Sequence, residues 1–295
     1  MRLGQGVSRV CDRVGLFRTR AVHRRPHSGP DNALILQERL PLHFVSMSLE
    51  VVDLGRLPYA DAYAVQTATL DRVLASRDSA SPLTGVILTV EHDPVITVSR
   101  RAGAADHIIT SRDTLAQMGI AVEETDRGGD ITYHGPGQQV VYPILDLNAL
   151  NLGLHAYMRL LEQAVIDTCT EFGVPAQRDA SATGVWVPID PRSSRTVAGE
   201  SESNSPTLAK VCAMGVRVRR WISMHGLAIN VRTDLRHFAT IVPCGLHGRP
   251  VCSLESLLGA GAPTLPEVRS VLVRTLQGSI ERQREHTVAE RARRA

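Results

Sequence analysis

Lysine is all but missing from this chain. The 295 residues hold 33 lysines and arginines together, and only Lys210 is a lysine. Arginine keeps its proton near neutrality, whereas burial and neighbours can tune a lysine ammonium to act as an acid, a base or a thiolate partner. Lys210 is therefore either a stray left by codon bias or a residue kept for its chemistry. Aromatic residues are scarce at 4%, so the 43% hydrophobic content must build an aliphatic core. Paired cysteines are absent too: Cys11, Cys169, Cys212, Cys244 and Cys252 form an odd set without a CxxC pair. That excludes a disulfide framework and a zinc ribbon, leaves no metal expected, and implies reduced thiols of a cytosolic kind. No apolar run reaches the roughly 18 residues of a membrane span. Nor is there a net basic body. Residues 1–30 carry seven arginines and one acid, Asp12, which is +6; the formal total is +3, so residues 31–295 carry −3. A generic nucleic-acid binder is excluded.

The pattern along the chain predicts an α/β (α+β) domain with a mixed β-sheet flanked by helices. Residues 1–46 lack periodicity and read as an extension, with the catalytic-type body at 47–285 and a frayed, charged tail at 286–295. Pro58 suits the first turn of a helix reaching Ser76, with Tyr63, Gln66, Leu70, Val73 and Leu74 near one face. Residues 84–92 form a continuous apolar run expected of a strand buried on both sides, and 95–99 a second strand. A short helix is expected over Ser111–Met118, stopped by Gly119. Residues 138–147 read as β, with Pro143 pushing the strand toward an edge or a bulge. Leu154, Met158, Leu161, Val165, Cys169 and Phe172 keep the 3.6 period of a helix ended by Gly173, which makes Cys169 a packing residue. Strands are expected at 185–187, 208–218 and 223–231, a polar loop at 188–207, and a helix over Leu265–Glu285.

Two features point to chemistry. The run RGGDITYHGPGQQ at 127–139 packs four glycines and a proline into a stretch whose bare backbone a ligand can approach. It is either a ligand loop or an ordered connection between strands. It is not a nucleotide loop, because GxGxxG is absent and Lys210 follows alanine. The second feature is Cys244, set between Pro243 and Gly245.

RGGDITYHGPGQQVVYP, then AKVCAMGVRVRR, HGLAINV and PCG, in that order and spacing, resemble the octanoyltransferases of lipoate biosynthesis, from about Leu54 to about Leu258. The resemblance implies the catalytic fold of lipoate and biotin protein ligases and no cofactor. It implies transfer of an octanoyl group from octanoyl-acyl carrier protein to a lysine on lipoyl domains, those of 2-oxoacid dehydrogenase complexes and of glycine cleavage H protein. It further implies that Cys244 is the acylated nucleophile and Lys210 its neighbour. The acyl pocket would be lined by Arg127, Gly128, Gly129, Asp130, Ile131, Thr132, Tyr133 and His134. Ala213, Met214 and Gly215, and Gly226, Leu227 and Ala228, would complete it. The chemistry agrees: a cysteine of ordinary pKa about 8.5 is only a few per cent thiolate at neutrality and needs an adjacent cation.

Other assignments stay open. On an extended strand Cys212 would share a face with Lys210 and so neighbour the site, although its surroundings are apolar. His134 either polarises or positions the acyl thioester, or only orders its loop; His225 and Cys252 read as structural. Arg217, Arg219 and Arg220, with Arg100 and Arg101, are candidates for docking an acidic carrier protein. An ATP-dependent lipoate or biotin ligase of the same fold is one alternative activity, and a non-catalytic acyl-carrier or lipoyl-domain binding module is another. Residues 1–46 read as a mitochondrial presequence or, better, as translation assigned upstream of a cytoplasmic start at Met47.

Overall fold

The computed structural model describes residues 48–189, 207–242 and 249–294. The extension 1–46, most of the 188–207 loop and Cys244 lie outside these. Among the described residues nine strands form two sheets. The larger contains β1 (Ser48–Leu57), β2 (Leu83–His92), β6 (Gln138–Leu145), β9 (Ile222–Asn230), β8 (Thr207–Arg219) and β7 (Val185–Ile189), in that spatial order. The smaller is β4 (Ala121–Thr125), β3 (Val95–Ser99) and β5 (Ile131–His134). Both sheets mix parallel and antiparallel pairs, as expected.

The apolar run of β2 is continuous because both of its faces are covered. Val86, Leu88 and Val90 pack with α1 (Tyr59–Ala75), while Ile87 enters the opposite core with α3 (Leu154–Glu171) and α5 (Leu265–Arg294). β6 alternates likewise, with Val140, Tyr142 and Ile144 on the α1 side and Val141 and Leu145 on the other. Each such aliphatic side chain, fully buried, is worth about 1.5–3 kcal/mol. The remaining helices are α2 (Arg112–Gln117), capped by the Ser111 hydroxyl, and α4 (Leu254–Leu258), which carries a Ser253–Ser256 capping box.

Four expectations need correcting. Pro143 does not push β6 to an edge: the strand is central and buried throughout. Its register with β9 ends at Val141–Leu227, however, so the proline's missing N–H falls where the ladder is already open. In that gap Ser223 Oγ donates to Pro143 O at 2.7 Å and accepts from Leu145 N at 2.9 Å. Leu154, expected on the buried face of α3, is exposed, because the buried stripe begins at Tyr157. Pro58 caps α1 from outside rather than opening its first turn. The charged tail is helical as far as Arg294. Thr287 is buried there and donates to Leu150 O at 2.8 Å, which Gln283 Nε2 also approaches at 2.9 Å, so the last turns are pinned to the body.

Candidate active site

Residues 126–130 join β4 to β5 and lie against the β8–β9 hairpin. Gly128 N donates to Val216 O at 2.9 Å, and a Cβ on Gly215 would stand 2.6 Å from Gly128 O. Backbone meets backbone here, so Gly215 admits no side chain, and a Cβ on Gly128 would already stand 3.0 Å from Val216 O.

Between these elements and the start of α1 is a narrow pocket of about 40 Å³, which opens beside a wider groove of about 530 Å³. Gly129, Lys210, Met214 and Gly215 line both. Of the residues expected at the pocket, Arg127, Gly129, Ile131, Thr132, His134, Lys210, Ala213, Met214, Gly215, Gly226, Leu227 and Ala228 line it. Gly128 and Asp130 line only the groove, and Asp130 Oδ2 stands 2.7 Å from His107 Nδ1. Tyr133 lines neither. On β5 it alternates away from Thr132 and His134 into the core of the small sheet, where its hydroxyl meets His237 Nδ1 at 2.7 Å and its ring stacks edge-on against Phe238.

Cys212 is not Lys210's neighbour at the pocket. A register shift between β7 and β8 at Val185–Trp186 breaks the alternation, so that Ala209, Val211 and Cys212 all enter the core while Lys210 faces the cavities. Burial pushes the Cys212 and Cys252 thiols well above the usual range, and that of Cys169 up to about 12. All three are free and inert, as structural thiols should be.

The pocket wall opposite Lys210 is built of histidines and tyrosines that hydrogen bonding keeps in one state. Asn230 Nδ2 donates to the Cys252 carbonyl at 3.0 Å, which fixes Asn230 Oδ1 as acceptor for Gln138 Nε2 at 2.9 Å. Gln138 Oε1 must then accept from His134 Nδ1 at 2.7 Å. His134 is therefore the Nδ1–H tautomer, with Nε2 left as an acceptor. Burial first, then His92, pushes its pKa down to about 3, so it is neutral. A neutral ring with an acceptor Nε2 cannot donate to a thioester carbonyl from that atom; its chemistry is to accept. His92 repeats the pattern: Nδ1 donates to Leu57 O at 3.0 Å, Nε2 takes the Tyr142 hydroxyl at 2.7 Å, and burial lowers the pKa to about 4. Tyr59 stacks on His134 with ring centroids 6.4 Å apart.

His225, expected to be structural, lines the pocket. It sits at φ +57°, a left-handed conformation that a residue with a side chain adopts at a cost. The kink falls where the β6–β9 ladder opens, and Gly226 follows because a Cβ there would lie 2.2 Å from Val141 O. His225 Nε2 donates to Asp126 Oδ1 at 2.8 Å, and Asp126 Oδ2 accepts from Tyr63 at 2.9 Å and from Arg217. Burial and the Arg127 and Arg217 charges push the His225 pKa down, while the Asp126 carboxylate pulls the other way. Tyr59, Val140, Tyr142 and His225 line the pocket without having been foreseen. A positive φ on β9 and contacts across more than 60 residues, such as Tyr63 to Asp126, leave no periodic signal in sequence.

Cys244 lies outside the described residues, but the described residues nearest to it in sequence on either side are bonded to these elements. Val242 N donates to His107 O at 2.8 Å. On the far side, Lys210 N donates to Pro250 O at 2.9 Å and Cys252 N to Lys210 O at 3.0 Å.

Comparison with known proteins agrees with this arrangement. Residues 58–277 match the family described as lipoyl protein ligase A/B catalytic domain. An octanoyltransferase of Bacteroides thetaiotaomicron is 39% identical over 226 residues, covering 77% of this chain and 92% of that protein. One of Koribacter versatilis is 40% identical over 228 residues, covering 77% of this chain and 82% of that protein. Among solved structures, a bipartite lipoate protein ligase from Thermoplasma acidophilum superposes with a TM-score of 0.55 at 16% identity, covering 83% of this chain and 91% of its own; that likeness concerns the fold. The chain belongs to the lipoyl protein ligase A/B catalytic-domain family and, within it, groups with the octanoyltransferases.

Proposed function

We propose that this acyltransferase moves an octanoyl group from octanoyl-acyl carrier protein to a lysine of a lipoyl domain, through a thioester on Cys244. The observation that supports it most is convergence. Arg127–His134, Lys210–Gly215 and Gly226–Ala228 are separate stretches of sequence, yet residues of all three line one pocket that ends at Lys210. The backbone of Lys210 is bonded to Pro250 and Cys252, six and eight residues after Cys244 in sequence.

In this reading the Cys244 thiolate attacks the octanoyl thioester carbonyl. A carbon–sulfur bond to the enzyme forms, the bond to the carrier's thiol breaks, and the departing thiolate takes a proton from the Lys210 ammonium. The acceptor's amine then attacks the acyl-enzyme, an amide forms, the Cys244 thiolate leaves, and the proton lost by nitrogen returns to Lys210. The acyl chain lies along Ile131, Val140, Leu227 and Ala228. The 2-oxoacid dehydrogenase and glycine cleavage lipoyl domains are the expected acceptors, in a reducing, cytoplasmic setting.

Intact mass of the full-length protein after incubation with octanoyl-acyl carrier protein tests the reading. One octanoyl adduct, released by hydroxylamine and absent from Cys244→Ala, is expected without ATP. Transfer that proceeds only with ATP would move the activity to the ligase chemistry instead.

A further inference from the structure

Trp186 lines neither cavity, yet it touches Lys210. The two are cross-strand partners in β7 and β8, so their side chains share a face, and Lys210 Nζ lies 4.6 Å from the centre of the indole ring. The ring is 1% exposed and Lys210 8%. Its own N–H is satisfied by Ala182 O at 3.1 Å, which fixes the indole in orientation. A second cation, Arg249, lies over the same ring with its Cζ 3.9 Å from the centre.

Two bare cations against one buried ring would repel each other. Here Arg249 is paired with Asp179, and its Nη1 donates to Ser181 Oγ at 3.1 Å. The Ser181 hydroxyl and amide, together with Arg249, hold the Asp179 carboxyl well below the usual range, so it stays charged and offsets the guanidinium. The negative face of the indole is thus left to attract the ammonium. Gly184, two residues before Trp186 and at φ +123°, keeps the space clear: a Cβ there would stand 3.4 Å from Lys210 Cε and 2.6 Å from Cys212 O.

We infer that Trp186 is a positioning residue for the reaction. Its ring face holds the Lys210 ammonium at the junction of pocket and groove, and Arg249, stacked on the same ring, ties that position to residues 249–252, which follow Cys244 in sequence. The argument rests on the proposed role of Lys210. Arg249 precedes the Pro250 carbonyl that accepts the Lys210 amide hydrogen at 2.9 Å, so the lysine's stem and its backbone are both referenced to residues 249–252.

The test is a series at position 186 read with a small octanoyl thioester donor. Trp186→Phe and Trp186→Tyr keep an aromatic face; Trp186→Leu keeps apolar bulk without one. Desolvated cation–π contacts predict that Trp186→Leu loses about 10- to 30-fold in kcat with KM within about twofold, while the aromatic variants lose about threefold. Equal losses for Leu and Phe, or wild-type kcat in a folded Trp186→Leu, would overturn the inference. Should the leucine variant not fold, a thermal-stability cycle with Trp186→Phe, Lys210→Met and the double variant replaces it. A smaller cost of Trp186→Phe in the Lys210→Met background supports direct coupling, and an identical cost refutes it. Full activity of Lys210→Met would instead sink the parent reading, whatever position 186 does.

Discussion

The two walls of the site solve opposite electrostatic problems. On the wall of α1, β2, β5 and β6, titratable rings are kept uncharged: His92 and His134 are buried, locked as Nδ1–H tautomers and shifted to about 4 and 3. On the wall of β7, β8 and residues 249–252, charge is gathered, with Lys210 and Arg249 both against Trp186 and Arg249 paired with Asp179. A neutral, dry wall suits an alkyl chain; a cationic one suits a thiolate and a tetrahedral oxyanion. The RGG backbone and Gly215 join the two.

Disabling the nucleophile or the proton donor at the cationic wall should have the largest effect. Cys244→Ala should abolish the acyl-enzyme seen by mass spectrometry. Lys210→Arg should lose about 10²–10⁴-fold in turnover, the usual worth of a positioned proton donor, since arginine keeps the charge but cannot pass the proton. Cys212→Ala should still acylate, because that thiol lies in the core. Near-full activity of Lys210→Arg would reduce the lysine to an electrostatic role.

Adding charge to the neutral wall should cost stability rather than chemistry. His92 and His134 have folded pKa values below the unfolded value of 6.5, so between pH 6.5 and about 4 the unfolded chain binds protons that the folded one refuses. Their contribution is complete above pH 6.5 and is lost as pH falls. Two such protons give a slope of about 3 kcal/mol per pH unit near pH 5. Urea melts from pH 7 to pH 4.5 measure it. His134→Gln should lower the slope by one proton's worth, about 1.4 kcal/mol per pH unit, and an unchanged slope would mean that the ring is not held neutral.

The contrast was only half legible in sequence. Strands at 84–92 and 95–99 and the helix from 154 follow from periodicity, because each buries a regular face. The glycine-rich loop and Lys210 were visible as composition anomalies. Tyr133 was misplaced because a motif read as a block hides strand alternation: Thr132 and His134 turn toward the pocket, and the tyrosine between them must turn away. Cys212 failed in the reverse sense, since alternation was assumed across a bulge that only the β7 register reveals. Trp186, His225 and Asp126 were silent, because an isolated tryptophan and a kinked histidine acquire meaning only from partners across the sheet.

The seam between the walls gives the next effect. Gly215→Ala would put a methyl 2.6 Å from Gly128 O and 3.2 Å from Arg127 Cδ, forcing the RGG segment off β8. Overpacking of this kind costs about 1–3 kcal/mol in stability. Displacing the pocket lining should cut turnover by about tenfold to a hundredfold, as misplacement near reacting groups does. A variant with lowered Tm and intact turnover would mean that the seam is structural only.

The smallest effect should come from outside both walls. Of the arginines suited to docking an acidic carrier, Arg217 is engaged with Asp126, whereas Arg219 and Arg220 stand exposed at the β8–β9 turn beside Trp221, itself 51% exposed. Arg220 and Trp221 hold φ values of +52° and +63°, so the turn keeps its shape at some conformational cost. Rim charges act mainly on association and are screened by salt. Replacing Arg219 and Arg220 with alanine should raise KM for octanoyl-acyl carrier protein by about three- to tenfold at low salt and flatten its salt dependence. A small octanoyl thioester, which needs no docking, should react unchanged. Equal losses with both donors would show that the turn supports the pocket instead, through the pairing of β8 with β9 that carries His225.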